Sequence, residues 1–267
     1  TLLEALSNLL YESDGLMNQY FMNHMNFFLE KKNRKKFIPV LLAIAHGNCK
    51  MKLITQYLGR KDSELGSILE KLQYMDLVAK NGVFYKVQDK LFEFWLKNVY
   101  GLKSAAQIDD MDIKSLEFKG LVLSDHDDYA RFAAKSPAEL LTDLFSSFQD
   151  DKVSFNMYER ILPKFSSVEP RKINETTWKF LGRVDRTENY WIFYAKLADM
   201  IDDHDITAAS TVRFPEKNKK IVRRVLIPFK GIEHNAFLMA KDLNLWVWDI
   251  EEINKLLRNF GKFELVI

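Results

Sequence analysis

The sequence predicts an α+β chain in two parts, helical at its N-terminus and mixed α/β toward its C-terminus. Three observations carry this. Apolar residues recur at helical spacing through the first 75 or so positions. The dipeptide Asn81-Gly82 stands between two short β-rich runs. From Ser136 onward, strand-like runs alternate with helical ones. The 267 residues are 47% hydrophobic, enough for one large core or two modest ones. Lys plus Arg (39) nearly balance Asp plus Glu (37), so any nucleic-acid affinity must come from local clusters. The single cysteine, Cys49, excludes an internal disulfide and fits a reducing cytoplasm. No apolar run is long enough to span a bilayer, so no membrane partner is expected. The chain starts at Thr1 without an initiator Met, and so reads as a processed chain or a piece of a longer one.

Residues 1 to about 30 read as two helices, the first lined by Leu2, Leu3, Leu6, Leu9 and Leu10, the second capped by Ser13 or Asp14. "KKNRKK" (31–36) reads as a solvated turn, with a phosphate-facing patch as the alternative. "FIPVLLAIAHG" is a buried helix ended by Gly47, and "KMKLITQYLG" a short one ended by Gly59. The next helix has Asp62 as N-cap and a core stripe of Leu65, Ile68, Leu69, Leu72 and Met75. "LVAKNGVFYKV" then gives two strands around the Asn-Gly turn.

Helix, helix, helix, hairpin in this order predicts a winged helix-turn-helix, with the helix after Arg60 in the recognition position. Its outward face is mixed: Ser63, Glu64, Ser67, Glu70, Lys71 and Tyr74. Arg60, Lys61, Lys71, Lys80 and Lys86 are the candidate phosphate contacts, with Ser63 beside them, while Glu64 and Glu70 oppose that attraction. No set of Arg or Asn base readers stands out.

After the hairpin, "DKLFEFWLKNVYG" places Phe92, Phe94, Trp95 and Tyr100 on a helix capped by Asp89, an aromatic stripe suited to a core. A winged helix running into this segment resembles the C-terminal half of a family of prokaryotic AAA-type ATPases. In that family a nucleotide-binding domain precedes a helical lid, a winged helix and often a restriction-endonuclease-like domain. The resemblance implies that the first two helices are remnants of the lid and that the ATPase core is a partner carried elsewhere. No G-x-x-x-x-G-K-[ST] loop occurs in the chain, so ATP would belong only to a domain outside it.

The expected division is 1–100, a connector at 101–135 rich in Asp and Lys, and an α/β domain at 136–267. "SPAELLTDLFSSF" is a helix with Ser136 as cap and Pro137 at its first position, and "NMYERILPKF" reads as a second helix. Strands follow in "TWKFLGRVD", "NYWIFYAKL", "IVRRVLIPF" and "LWVWDI", with helices between the later ones and a last helix, "IEEINKLLRNFG". Mixed strand directions are expected.

This order resembles the restriction-endonuclease core, whose motif is an Asp on one hairpin strand and acid-x-Lys on the next. The resemblance assigns the Asp to Asp185 and the Lys to Lys196, and puts Tyr194 where the second acid belongs. Phosphodiester hydrolysis of this kind needs Mg²⁺ held by at least two hard anionic oxygens, and a neutral tyrosine hydroxyl does not replace a carboxylate. Asp185 alone is a weak metal ligand. A displaced Glu159 or Glu169 would restore the pair.

Four further features bear on function. Lys217, Lys219, Lys220 and Arg223 form a candidate phosphate stripe, with Arg224 on the opposite face. "MIDDHDI" reads as an exposed acidic turn rather than a metal site. Trp246 and Trp248 read as a strand buried on both faces. Cys49 and His46 lack the orienting acid of a catalytic pair. The resulting expectation is a cytoplasmic, non-catalytic nucleic-acid-binding or regulatory region of a AAA-type ATPase, with DNA, the ATPase core or another protein as partner. It needs no cofactor unless the nuclease is active with Mg²⁺. The alternatives are an active nuclease using Asp185, Lys196 and a displaced Glu, and a protein-contact module without DNA.

Overall fold

A computed structural model of the chain describes residues 1–29, 31–104, 111–155, 158–211 and 219–265. It is α+β, in two compact units, Thr1–Arg131 and Phe132–Ile267.

The first unit begins with α1 (Leu2–Leu6), which runs on as a π-helical turn, Ser7–Tyr11. Next come α2 (Leu16–Phe28), α3 (Lys31–Ala45), α4 (Met51–Leu58) and α5 (Asp62–Tyr74). Gly59 closes α4 at φ +62°, a left-handed backbone that glycine adopts without a Cβ penalty. The caps shift by a residue from expectation: α2 starts after Gly15 and α5 after Lys61. Strands β1 (Val78–Asn81) and β2 (Phe84–Val87) pair antiparallel with Asn81 opposite Phe84. The turn residues are therefore Gly82, at φ +59°, and Val83. The Asp89 carboxylate then accepts from the amides of Leu91 and Phe92 at 2.8 and 2.9 Å, starting α6 (Lys90–Trp95). The helix continues through a π-helical segment, Leu96–Tyr100, into α7 (Gly101–Ser104).

The expected connector at 101–135 is not a linker over 111–133, while its residues 105–110 lie outside the described residues. Residues 111–133 form one long helix, α8 (Met111–Ala133), and its Phe118 is fully buried, stacked 5.2 Å from Tyr11. Asp125 accepts from Lys97 Nζ at 3.1 Å and Asn98 Nδ2 at 3.2 Å. One buried aromatic and one shared carboxylate bind this helix to its unit, and the rest of its sequence, polar and weakly periodic, hides that role. The division between units accordingly falls at Arg131/Phe132, in the last turn of α8, not at 135/136.

The second unit opens with α9 (Pro137–Phe145), capped by a reciprocal Ser136–Glu139 box. After β3 (Asp151–Phe155), where "NMYERILPKF" (156–165) reads as a helix, the chain instead makes strand β4 (Tyr158–Leu162), antiparallel to β3, and enters β5 (Phe165–Lys172). The remaining elements are β6 (Thr177–Val184), β7 (Asn189–Lys196), α10 (Asp203–Thr211), β8 (Lys220–Pro228), α11 (His234–Asp242), β9 (Trp246–Val247) and α12 (Ile250–Asn259). The five-stranded sheet runs β5-β6-β7-β8-β9, antiparallel as far as β7 and parallel from β7 to β9. One sheet face carries Phe193, stacked 3.9 Å from Phe145 of α9. The other carries Tyr194 and Leu226 against Ile206 of α10 and Ala236 and Ala240 of α11.

Candidate functional site

Strand β7 places Tyr194 and Lys196 two residues apart, so both side chains leave the sheet on the α10 face. Thr177 of β6 stands opposite Lys196 in the register. The third member of the cluster is Asp205, on the first turn of α10. Its carboxylate accepts from Lys196 Nζ at 2.6 Å, Tyr194 Oη at 2.8 Å and the Asp202 amide at 3.1 Å. Asp202 returns the bond, accepting from the Asp205 amide at 2.9 Å, so the two aspartates cap α10 reciprocally. Lys196 and Asp205 are each only 13% exposed.

Burial opposes the charge on Asp205, but the bonds from Lys196, the Asp202 amide and Tyr194 outweigh it and hold the carboxyl below its ordinary range. Burial likewise works against the Lys196 charge, and the Asp205 bond and charge override it, raising the ammonium above the usual lysine value. Tyr194 is driven well above its normal value, first by burial and then by Asp205, so its hydroxyl stays a neutral donor. The assembly is a closed ion pair with a tyrosine clamp.

Asp185 does not join it. It follows the last residue of β6, at the turn leading into β7, whereas Lys196 ends β7 opposite the first residue of β6. Antiparallel pairing therefore separates them by about 25 Å along the hairpin. The end of one hairpin strand lies beside the start of the next, which the linear motif match overlooked. Asp185 lies 3.9 Å from Lys164 and 3.7 Å from Arg186. Glu159 faces outward on the β3–β4 hairpin and is ion-paired with Lys152, and Glu169 on β5 lies 3.5 Å from Arg171. Neither is a displaced ligand for Asp185 or Lys196. The carboxylate beside Lys196 is Asp205, and both its oxygens already accept from protein donors, so these residues do not fit the Mg²⁺ site that the nuclease resemblance implies.

The acidic run was expected to fan out as an exposed turn. Asp203 and His204 do so, but Asp205 turns back onto the sheet and Asp202 is half-buried, bonded to it. An acid followed three residues later by another, ahead of the apolar spacing of Ile206 and Ala209, is the capping signal that would have found them.

Among the proposed phosphate contacts, Lys61, Ser63, Lys71 and Lys80 are exposed. Lys86 is not: β2 is buried along its whole length, and this side chain is 8% exposed. Arg60 is committed elsewhere. Its guanidinium donates to the carbonyls of Lys36 and Lys35 at 3.2 and 3.4 Å. Pro39, inside α3, has no amide to bond the Lys35 carbonyl, and Arg60 takes that place. In the second unit, Lys220 is exposed, Lys219 is half-buried, and Lys217 lies outside the described residues. Arg223 lies over the ring of Trp246, 4.1 Å from its centroid, and Arg160 lies 4.7 Å from the same centroid. Trp246 is half-buried, not enclosed on both faces as expected, whereas Trp248 is buried. Cys49 is buried. No helix among the described residues is long and apolar enough to cross a membrane.

The fold and site thus define a two-unit α+β protein with an internally neutralised lysine–aspartate pair at the end of its larger sheet. No family model and no curated protein matches the chain. Among solved structures it is similar to protein VC1899 from Vibrio cholerae, at 14% identity and a TM-score of 0.26, over 92% of this chain and 55% of that one. The chain spans about half the length of that protein.

Proposed function

We propose that the chain is a non-catalytic nucleic-acid-binding or regulatory region that works beside a AAA-type ATPase core. In this reading the first unit is a winged helix and the second a restriction-endonuclease-like domain without its chemistry. The observation that carries the reading is the Lys196–Asp205–Tyr194 closure: the motif lysine is tied to a saturated carboxylate, with Asp185 at the far end of the hairpin. The order α3, α4, α5, hairpin supports the first assignment, and the order α9, β5-β6-β7, α10, parallel β8 supports the second. Exposed Lys61, Ser63, Lys71 and Lys80 supply a modest phosphate-facing set on the first unit.

The test is a labelled duplex and a labelled single strand titrated across ionic strength, with Mg²⁺ or Mn²⁺ present in parallel cleavage reactions. Salt-sensitive binding without cleavage is expected. Cleavage abolished by Lys196→Ala would replace this reading with the active nuclease. The protein-contact reading has its own support, Tyr74 of α5 at 92% exposure with Glu70 one turn before it and Glu64 exposed on the same helix, and absence of binding at low salt would favour it.

A further inference from the structure

Two guanidinium groups converge on one indole in the second unit. Strand β4 pairs with β3 so that Arg160 stands opposite Val153 and Tyr158 opposite Phe155. Residues opposite each other share a face of a sheet, and Val153 and Phe155 are buried, so Arg160 and Tyr158 lie on the inward side of this hairpin. There Phe155 stacks on Trp248 at 5.2 Å, which holds the hairpin against the chain around β9. Arg223 comes from β8, two residues before Val225, whose partner in the register is Trp246. Positions two apart on a strand share a face, so Arg223 and Trp246 project to the same side.

Both guanidinium centres therefore lie within 5 Å of the Trp246 centroid and no more than about 9 Å from each other. Among the described residues neither has a carboxylate within ion-pair reach; the nearby Glu159 is held by Lys152 and Glu188 by Arg183. Burial and the Arg160 charge both disfavour the Arg223 cation, yet a guanidinium does not lose its proton under ordinary conditions. The like charges persist, partly desolvated, and an oxyanion placed between them would relieve the repulsion. The Trp246 ring holds each fork in place in advance, which reduces the entropy lost on binding.

We propose that Arg160, Trp246 and Arg223 form a phosphate-binding clasp, taken in the protein by the backbone of a single-stranded nucleic acid. A guanidinium fork matches phosphoryl oxygens in a bidentate way, and two forks at this spacing hold one phosphate or two successive ones. Tyr158, 60% exposed with its ring 5.0 Å from the Arg160 guanidinium, offers a stacking face to an unpaired base. Exposed Lys220 begins the strand that carries Arg223 and extends the positive track. The strand as ligand rests on the nucleic-acid reading above, whereas the clasp as a phosphate site does not.

The experiment titrates the whole chain with a fluorescein-labelled single-stranded oligonucleotide and, separately, with inorganic pyrophosphate followed by tryptophan fluorescence. Arg160→Gln, Arg223→Gln and the double variant are compared with Lys230→Gln, an equal charge change beyond the far end of β8. Each clasp variant should weaken oligonucleotide binding about tenfold, and the double variant should lower the salt slope by about 1.4, while Lys230→Gln stays near wild type. Arg160→Lys and Arg223→Lys, which keep charge but lose the fork, should fall between; they also serve if a glutamine variant melts early by circular dichroism. Oligonucleotide binding with clasp variants indistinguishable from Lys230→Gln overturns the clasp and leaves the nucleic-acid reading standing. No oligonucleotide binding, with a pyrophosphate response that the double variant lacks, keeps the clasp for a free phosphate ligand and removes the nucleic-acid reading. Response to neither probe overturns both.

Discussion

At the scale of single residues, two carboxyls titrate in opposite senses. Asp205 is held below its ordinary value by Lys196, the Asp202 amide and Tyr194, and Lys196 is held above its own by Asp205, burial working against the charge in both. The stability Asp205 contributes is therefore complete above the usual carboxylate range and lost as pH falls through its depressed value; that of Lys196 is complete below the usual lysine range and lost as pH rises through its elevated one. Asp205→Asn or Lys196→Met leaves a largely buried partner uncompensated, and should cost about 2–4 kcal/mol at neutral pH in urea unfolding. The double variant should lose less than the sum of the two. Glu252, third residue of α12 and 8% exposed, behaves in reverse. Burial first, then the Asp249 charge, push its carboxyl from 4.5 up to about 7. Across that window the folded protein holds a proton that the unfolded chain has released, so stability falls as pH rises and the penalty vanishes below the unfolded value. Glu252→Gln should flatten this slope and add about 2–3 kcal/mol above pH 7. An unchanged pH profile would show the carboxyl to be well solvated.

At the scale of elements, α3 and α4 depend on each other through a missing amide. Pro39 leaves the Lys35 carbonyl without its intrahelical donor, and Arg60, just past the Gly59 cap of α4, supplies one. Arg60→Ala should destabilise the protein by about 0.5–1 kcal/mol, and by less when Pro39→Ala has restored the amide; equal losses in both backgrounds would detach the arginine from the proline. Nothing in the local pattern marks Arg60 for this role, because the Lys35 carbonyl lies 25 residues away. The same distinction governs what the sequence made legible. α5 has Leu65, Ile68, Leu69 and Leu72 buried as their spacing requires, and Asp89, Ser136 and Pro137 stand where local caps belong. The strands β4 and β5 escaped because neither alternates: β5 is a sheet edge with Pro170 in it and most side chains in solvent, and β4 buries only Leu162 fully. The candidate site failed for a related reason. Tyr194 and Lys196 share a face by local geometry, but the separation of Asp185 and the approach of Asp205 depend on hairpin register and on the turn from β7 into α10, which residue spacing alone does not specify.

At the scale of the whole molecule, the chain divides between two units, each with its own buried apolar set. The first gathers Leu10, Phe21, Leu41, Leu69, Trp95 and Phe118; the second buries Phe145 and Phe193 on one face of its sheet and Leu226 and Ile206 on the other. Each holds its own point of no tolerance. Phe118 is fully buried against Tyr11 and Phe94, so Phe118→Ala removes a whole ring from the first unit, at about 3–5 kcal/mol. Gly182 of β6 works by absence: an added Cβ would lie 2.9 Å from the ring of Phe165, which is itself wedged among Phe148, Trp191 and Phe193. That ring has no free direction to move, so Gly182→Ala should cost about 1–3 kcal/mol through overpacking. Each unit buries its own apolar set, and such a chain need not unfold in one step. Differential scanning calorimetry should therefore resolve two transitions, one lowered by Phe118→Ala and the other by Gly182→Ala. The double variant should combine the two losses to within about 0.5 kcal/mol. A single transition moved by either change, with a double variant far from additive, would mean that the two cores melt as one cooperative body. In that case the proposed clasp in the second unit and the lysine face of the first would share one stability, and ligand bound at either would protect both.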